Sequence, residues 1–155
     1  MANAKDQPKQ AGLAAIPSAE ELHHLSVEKE MAKASETMRH LDEAEEHKKQ
    51  LIEQLKTLRV TEKNVQNFIA RVKRHAAAGE SEVMVLRFPN ELCSDRGRAI
   101  NNAEPDWPET LTGLPRDIYD KWNVGMRDRG YHLTAKILEF PGGMPGDVGM
   151  FIGWS

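Results

Sequence analysis

Residues 18–79, SAEELHHLSVEKEMAKASETMRHLDEAEEHKKQLIEQLKTLRVTEKNVQNFIARVKRHAAAG, decide the architecture. From Ser18 to Ala78 there is neither glycine nor proline. Ala, Glu, Lys, Leu, Met and Gln dominate, the residues that lose least on entering a helix. The run opens on Ser18-Ala19-Glu20-Glu21. There the Ser18 hydroxyl can accept from the Glu21 N–H while the Glu21 carboxylate accepts from the Ser18 N–H, a reciprocal capping box. It closes on Gly79, with Lys73, Arg74 and His75 in the last turn, where the helix dipole favours cations. Unbroken, residues 19–78 would form a rod on the order of 90 Å long.

A heptad frame fits the second half of this run. With Leu41 at position a, the successive a and d positions are Ala44, Lys48, Leu51, Leu55, Leu58, Glu62, Val65, Ile69, Val72 and Ala76. Only Lys48 and Glu62 are polar, so Leu41, Leu51, Leu55, Leu58, Val65, Ile69 and Val72 form a candidate coiled-coil seam. Upstream, Met31, Ala34, Met38 and Leu41 keep their own spacing, offset as by a three-residue stammer. Arg59-Val60-Thr61-Glu62 offers a break near residue 60, because Thr61 can cap a separate helix of residues 62–78. The arm is either one helix or two, and the cap favours two.

Charge is divided along the arm. Residues 19–47 carry nine acidic and three basic side chains, net −6, and residues 48–78 carry eight basic and two acidic, net +6. This arrangement opposes the partial charges at both ends of the helix dipole, which by itself accounts for a solvated, unpaired face. It also selects among pairings. Parallel copies would align like charges, whereas antiparallel copies lay acidic halves on basic halves. A homodimer, or a higher assembly, with an antiparallel arm is the expectation.

After Gly79 the pattern changes. Glu82–Phe88 is rich in β-formers and stops at Pro89, a strand. Leu92, Cys93, Ala99, Ile100 and Ala103 recur at helical spacing over residues 91–103, and Leu114, Ile118, Trp122 and Met126 recur every four, giving two helices. The segment between them, Glu104 to Gly113, holds Pro105 and Pro108 and reads as a loop. Alternation over residues 131–140 and 148–154 gives two further strands across the turn-rich Pro141–Asp147. The fold class is therefore α+β: a disordered tail (1–17), a helical arm (18–78) and a small two-layer β-α-α-β-β domain (79–155). Val83, Val85, Leu138, Phe140 and Phe151 fall on the parity opposite to the core, so the second sheet face is expected to need a cover, from residues 62–78 or from another subunit.

Composition narrows the function classes. The net charge of −3 selects neither nucleic acid nor an anionic membrane, and no apolar run approaches the roughly 20 residues of a membrane span. The single cysteine, Cys93, excludes an internal disulfide and cysteine-pair zinc sites, and a cytoplasmic location is expected. Cys93 lies near Asp95, with His132 distant in sequence and no hydrolase signature around it, so it reads as a buried structural thiol. His40 and His47 are seven residues apart, about 10 Å along a helix, too far to share a metal. No cofactor is implied.

The densest polar cluster is Asp95, Arg96, Arg98, Asn101 and Asn102, with Gly97 set inside the expected helix. A mid-helix glycine costs roughly 1 kcal/mol and marks either close packing or approach of an anionic ligand bound by the arginines. The reading that follows is a non-enzymatic, self-associating protein whose α+β domain binds a partner protein or small ligand. The alternatives are nucleic-acid binding through Lys48, Lys49, Lys56, Arg59, Lys63, Arg71, Lys73 and Arg74, and a small enzyme built on the Asp95–Asn102 cluster.

Overall fold

The computed structural model describes Leu13 and residues 15–155. The tail expected at residues 1–17 lies for the most part outside the described residues. Contacts divide the chain into one unit ending at Glu46 and another spanning His47–Ser155.

Helix α1 runs Ala19–Thr57 and opens with the expected box: Ser18 N–H donates to Glu21 Oε2 at 3.2 Å and Glu21 N–H to Ser18 Oγ at 3.1 Å. It ends where Arg59 folds its guanidinium back onto the carbonyls of Lys56 (3.0 Å) and Leu58 (2.7 Å), giving two terminal acceptors a charged donor. The break falls at residues 58–61. Thr61 caps helix α2, Glu62–Ala77, in a second capping box with Asn64. Gly79 closes α2 at φ +85°, a left-handed conformation that costs glycine little.

Strands β1 (Glu82–Phe88), β2 (His132–Ile137) and β3 (Val148–Gly153) form an antiparallel sheet in the order β1-β3-β2. The last two strands are the expected hairpin, and β1 joins the far side of β3 by the crossover. The register between β1 and β3 slips between Met84 and Leu86, a bulge that leaves Val85 without a partner. Because of it, Val83, Leu86 and Phe88 sit opposite Ile152, Met150 and Val148 and share the core face. The second face is partly apolar as expected, with exposed Met84 opposite Phe151, but Val83 lies on the core face, since a one-residue bulge switches the parity of every residue beyond it. That outer face carries exposed Arg87, Thr134 and Lys136. Lys136 lies 4.4 Å from the Phe151 ring centroid, and Arg87 bonds Asp147 at 2.9 Å.

The segment expected to be one helix over residues 91–103 is not one. It is a 3-10 turn (Asn90–Leu92), a β-bridge between Cys93 and Leu111, and a single helical turn, α3 (Arg98–Asn101). Leu92, Cys93, Ala99 and Ile100 are buried as their spacing implied, but successive turns bury them. Gly97 precedes α3 at φ +85°, with Ile137 Cδ1 3.2 Å from where a Cβ would stand. Its left-handed backbone and this close packing explain it without a ligand.

Helix α4 (Gly113–Gly125) completes the element order. The core joins Phe88, Val148, Met150 and Ile152 of the sheet to Leu92, Ile100 and Leu111 of the crossover. Leu55 of α1 is buried in the same core, with Ile52 and Phe68 packed against it. Residues 47–78 therefore belong with the α+β unit, and the boundary drawn at residue 79 marks a change of composition within one packed body. Burying a side chain such as Leu55 or Phe88 stabilises by roughly 1.5–3 kcal/mol. Among the described residues no helix is long and apolar enough to cross a membrane.

Candidate functional site

An open cavity of about 800 Å³ lies in the His47–Ser155 unit between α2 and α4. Leu58, Val65 and Ile69 form one wall, and Leu114, Ile118, Trp122 and Met126 form the other. Phe68, Val85, Leu86, Tyr131 and Ile152 line its floor. The α4 wall arises from the four-residue recurrence already legible in the sequence, and Trp122 is held in place by its indole N–H, which donates to the Tyr131 carbonyl at 3.1 Å. Leu58, Val65 and Ile69 remain exposed although they face this concavity.

The rim is cationic. Arg59, Arg71, Lys121 and Arg129 line the groove, with Asn64 and Asn67 beside them, and among the described residues no carboxylate does. Arg71 donates to the Met84 carbonyl at 2.9 Å, which satisfies an acceptor of the edge strand, and Arg59 is bound by helix-end carbonyls. Neither of these partners is an anion. Lys121 has Asp117 at 3.6 Å. The same Asp117 carboxylate accepts from Val60 N–H at 2.7 Å and fixes the α1–α2 link to α4, so the walls of the groove are tied together at one end.

The expected seam residues divide. Leu58, Val65 and Ile69 come together in the groove wall; Leu55 is taken into the core; Val72 is half-buried; Leu51 and Leu41 are exposed, Leu41 in the unit that ends at Glu46. The polar cluster does not line the groove. The Asp95 carboxylate accepts from Gly97 N–H at 3.0 Å and Ala99 N–H at 2.8 Å, a local turn, while Arg96, Arg98, Asn101 and Asn102 are exposed. Of the basic side chains considered for nucleic acid, Lys48 pairs with Glu91 at 2.8 Å and Lys56 with Glu53 at 3.4 Å, and Arg59 and Arg71 bind carbonyls. Among the described residues no three His, Cys, Asp or Glu side chains gather as metal ligands. The groove is not legible in the sequence, because the recurrence from Leu114 to Met126 predicts a helix and not what its apolar face meets. Lys121 and Arg129 flanking that stripe were the available signal.

Cys93 is buried, and burial pushes its thiol up to about 11, with Asp95 adding to the shift and Thr110 opposing it. A neutral, enclosed thiol is a poor nucleophile. At pH 8 the native protein should resist a thiol-specific reagent and react only once denaturant is added; immediate labelling of the native chain would contradict the burial. Because the folded thiol ionises later than the unfolded one, its contribution to stability is present below pH 9 and is lost as pH rises through about 11.

The chain matches no protein-family model, and no curated protein and no solved structure matches it.

Proposed function

We propose that this is a non-enzymatic, self-associating cytoplasmic protein in which α1 supplies an antiparallel coiled-coil arm and the α+β unit binds a protein partner. The observation that carries this reading is the exposed stripe of α1. Val27, Met31, Ala34, Met38 and Leu41 follow one another at alternating spacings of four and three, the seam of an associating helix. Met31 and Met38 are 67% and 62% exposed, larger apolar exposure than a solitary helix face needs. The groove adds a concave apolar surface of the kind that accepts helices.

Sedimentation equilibrium at high micromolar concentration should give a mass of twice 17.5 kDa or a higher multiple. Met31→Asp, Met38→Asp and Leu41→Asp together should lower it to one chain's mass. A native chain that is already monomeric there would remove the proposal.

A further inference from the structure

We propose that the groove between α2 and α4 receives an amphipathic helix of a different protein, one whose apolar face is flanked by aspartate or glutamate. This rests on the reading of the α+β unit as the part that binds a protein partner and gives that partner its chemistry; it is independent of self-association through α1.

The form of the groove selects a helix. Leu114, Ile118, Trp122 and Met126 line it at four-residue intervals, so their wall runs about 18 Å at roughly 1.5 Å per residue. That length fits a helix of roughly three turns, whose anchors at i, i+4, i+7 and i+11 share one face. The other wall is open: Leu58, Val65 and Ile69 are 50%, 42% and 47% exposed. A small-molecule pocket encloses about 70–90% of its ligand's surface, and walls this exposed do not enclose one. A helix laid on them covers the walls while its own outer face stays in water.

Charge selects the flanks of that helix. Arg59 and Arg71 come from the α2 side of the groove and Lys121 and Arg129 from the α4 side, and none of the residues lining it is acidic. Asp117 pairs with Lys121 at 3.6 Å, and the same carboxylate also serves the Val60 N–H. A helix with acidic flanks therefore meets opposite charge on both sides, whereas a basic one meets like charge, which costs affinity and excludes it. The chain's own α1 does not supply such a helix. Its longest run of apolar anchors, residues 27–41, is balanced, with Lys29, Lys33 and Arg39 against Glu28, Glu30 and Glu36. Its most acidic stretch, residues 42–46, has Ala44 as its one apolar side chain. Anchors and carboxylates lie in different places on α1, so the occupant is foreign.

The test uses two synthetic peptides of about 16 residues, both with leucine at i, i+4, i+7 and i+11, one carrying glutamate and the other lysine at the flanking positions. Each is titrated into the full-length chain, with affinity read by fluorescence anisotropy and location by the NMR signal of the Trp122 indole N–H. The glutamate peptide should shift that signal and bind at least tenfold more tightly than the lysine peptide. Raising salt from about 50 to about 500 mM should weaken the glutamate peptide severalfold through screening. Lys121→Glu with Arg129→Glu should reverse the preference, and its binding of the lysine peptide shows that it folds; the salt dependence of the native chain decides the matter if that variant is unfolded. Equal affinity for the two peptides, or an affinity indifferent to salt, overturns the acidic class while a protein-binding groove stands. No Trp122 shift with either peptide at high micromolar concentration overturns both. A Trp122 shift when the peptide-free chain is diluted would assign the groove to a second copy, and native mass spectrometry that finds a small amphipathic molecule held there would assign it to a ligand; either result overturns the proposal.

Discussion

Gly113→Ala is expected to destabilise the chain by about 2–6 kcal/mol, combining two independent costs of ~1–3 kcal/mol each, left-handed backbone for a non-glycine residue and overpacking. Gly113 opens α4 at φ +62°, and a Cβ there would stand 2.4 Å from the Leu55 carbonyl oxygen and 2.8 Å from Lys56 Cα. Both obstacles are backbone, so no rotamer change relieves them, and the end of α1 would have to move off α4. That movement also strains the Val60–Asp117 bond and opens the closed end of the groove. Gly125, in the same helix with nothing within 4 Å of its virtual Cβ, is the control. Gly125→Ala should change stability by less than about 1 kcal/mol. Urea unfolding followed by tryptophan fluorescence measures both, and equal midpoints for the two variants would contradict the close approach of α1 and α4.

Leu55 and Leu41 should separate just as sharply. They share the heptad seam in sequence, yet Leu55 is 5% exposed and Leu41 is 61% exposed. Leu55→Ala leaves a cavity among Phe88, Leu92 and their neighbours and is expected to cost about 2–5 kcal/mol. Leu41→Ala should alter the stability of the isolated subunit by less than about 0.5 kcal/mol. Its effect belongs to association and appears as a higher dimer dissociation constant. The comparison is made at protein concentrations low enough that association contributes nothing to the unfolding midpoint. Equal losses of stability would mean that the seam is one continuous surface and that Leu55 is not committed to the core.

What was legible in the sequence follows from which signals are local. Ser18, Thr61 and Gly79 mark helix ends through hydrogen bonds made within a few residues, and each acts where the sequence placed it. The stripe from Leu114 to Met126 needed only the helical period, and the alternation in β2 and β3 only the pleat. The bulge at Val85 was invisible because it exists only against β3, a strand more than sixty residues away. The 91–103 segment misled because buried turns and a helix can place the same residues inside; Gly97 at positive φ was the sign of turns. Leu55 was misassigned for a related reason, since a heptad records that a position is covered and not by what. The groove required the α1–α2 link and α4 to be brought together through Asp117, a contact spanning 57 residues.

The antiparallel arm is tested most directly by disulfide crosslinking between single cysteines. Glu36→Cys and Arg59→Cys are made separately in a Cys93→Ser background, the two proteins are mixed, and mild oxidant is added. Opposed charge halves, net −6 over residues 19–47 and net +6 over residues 48–78, bring position 36 of one chain to position 59 of the other. The mixed 36-to-59 crosslink should therefore form faster than either like-to-like crosslink. Efficient 36-to-36 and 59-to-59 crosslinks, with little of the mixed species, would show a parallel pair and contradict the central claim.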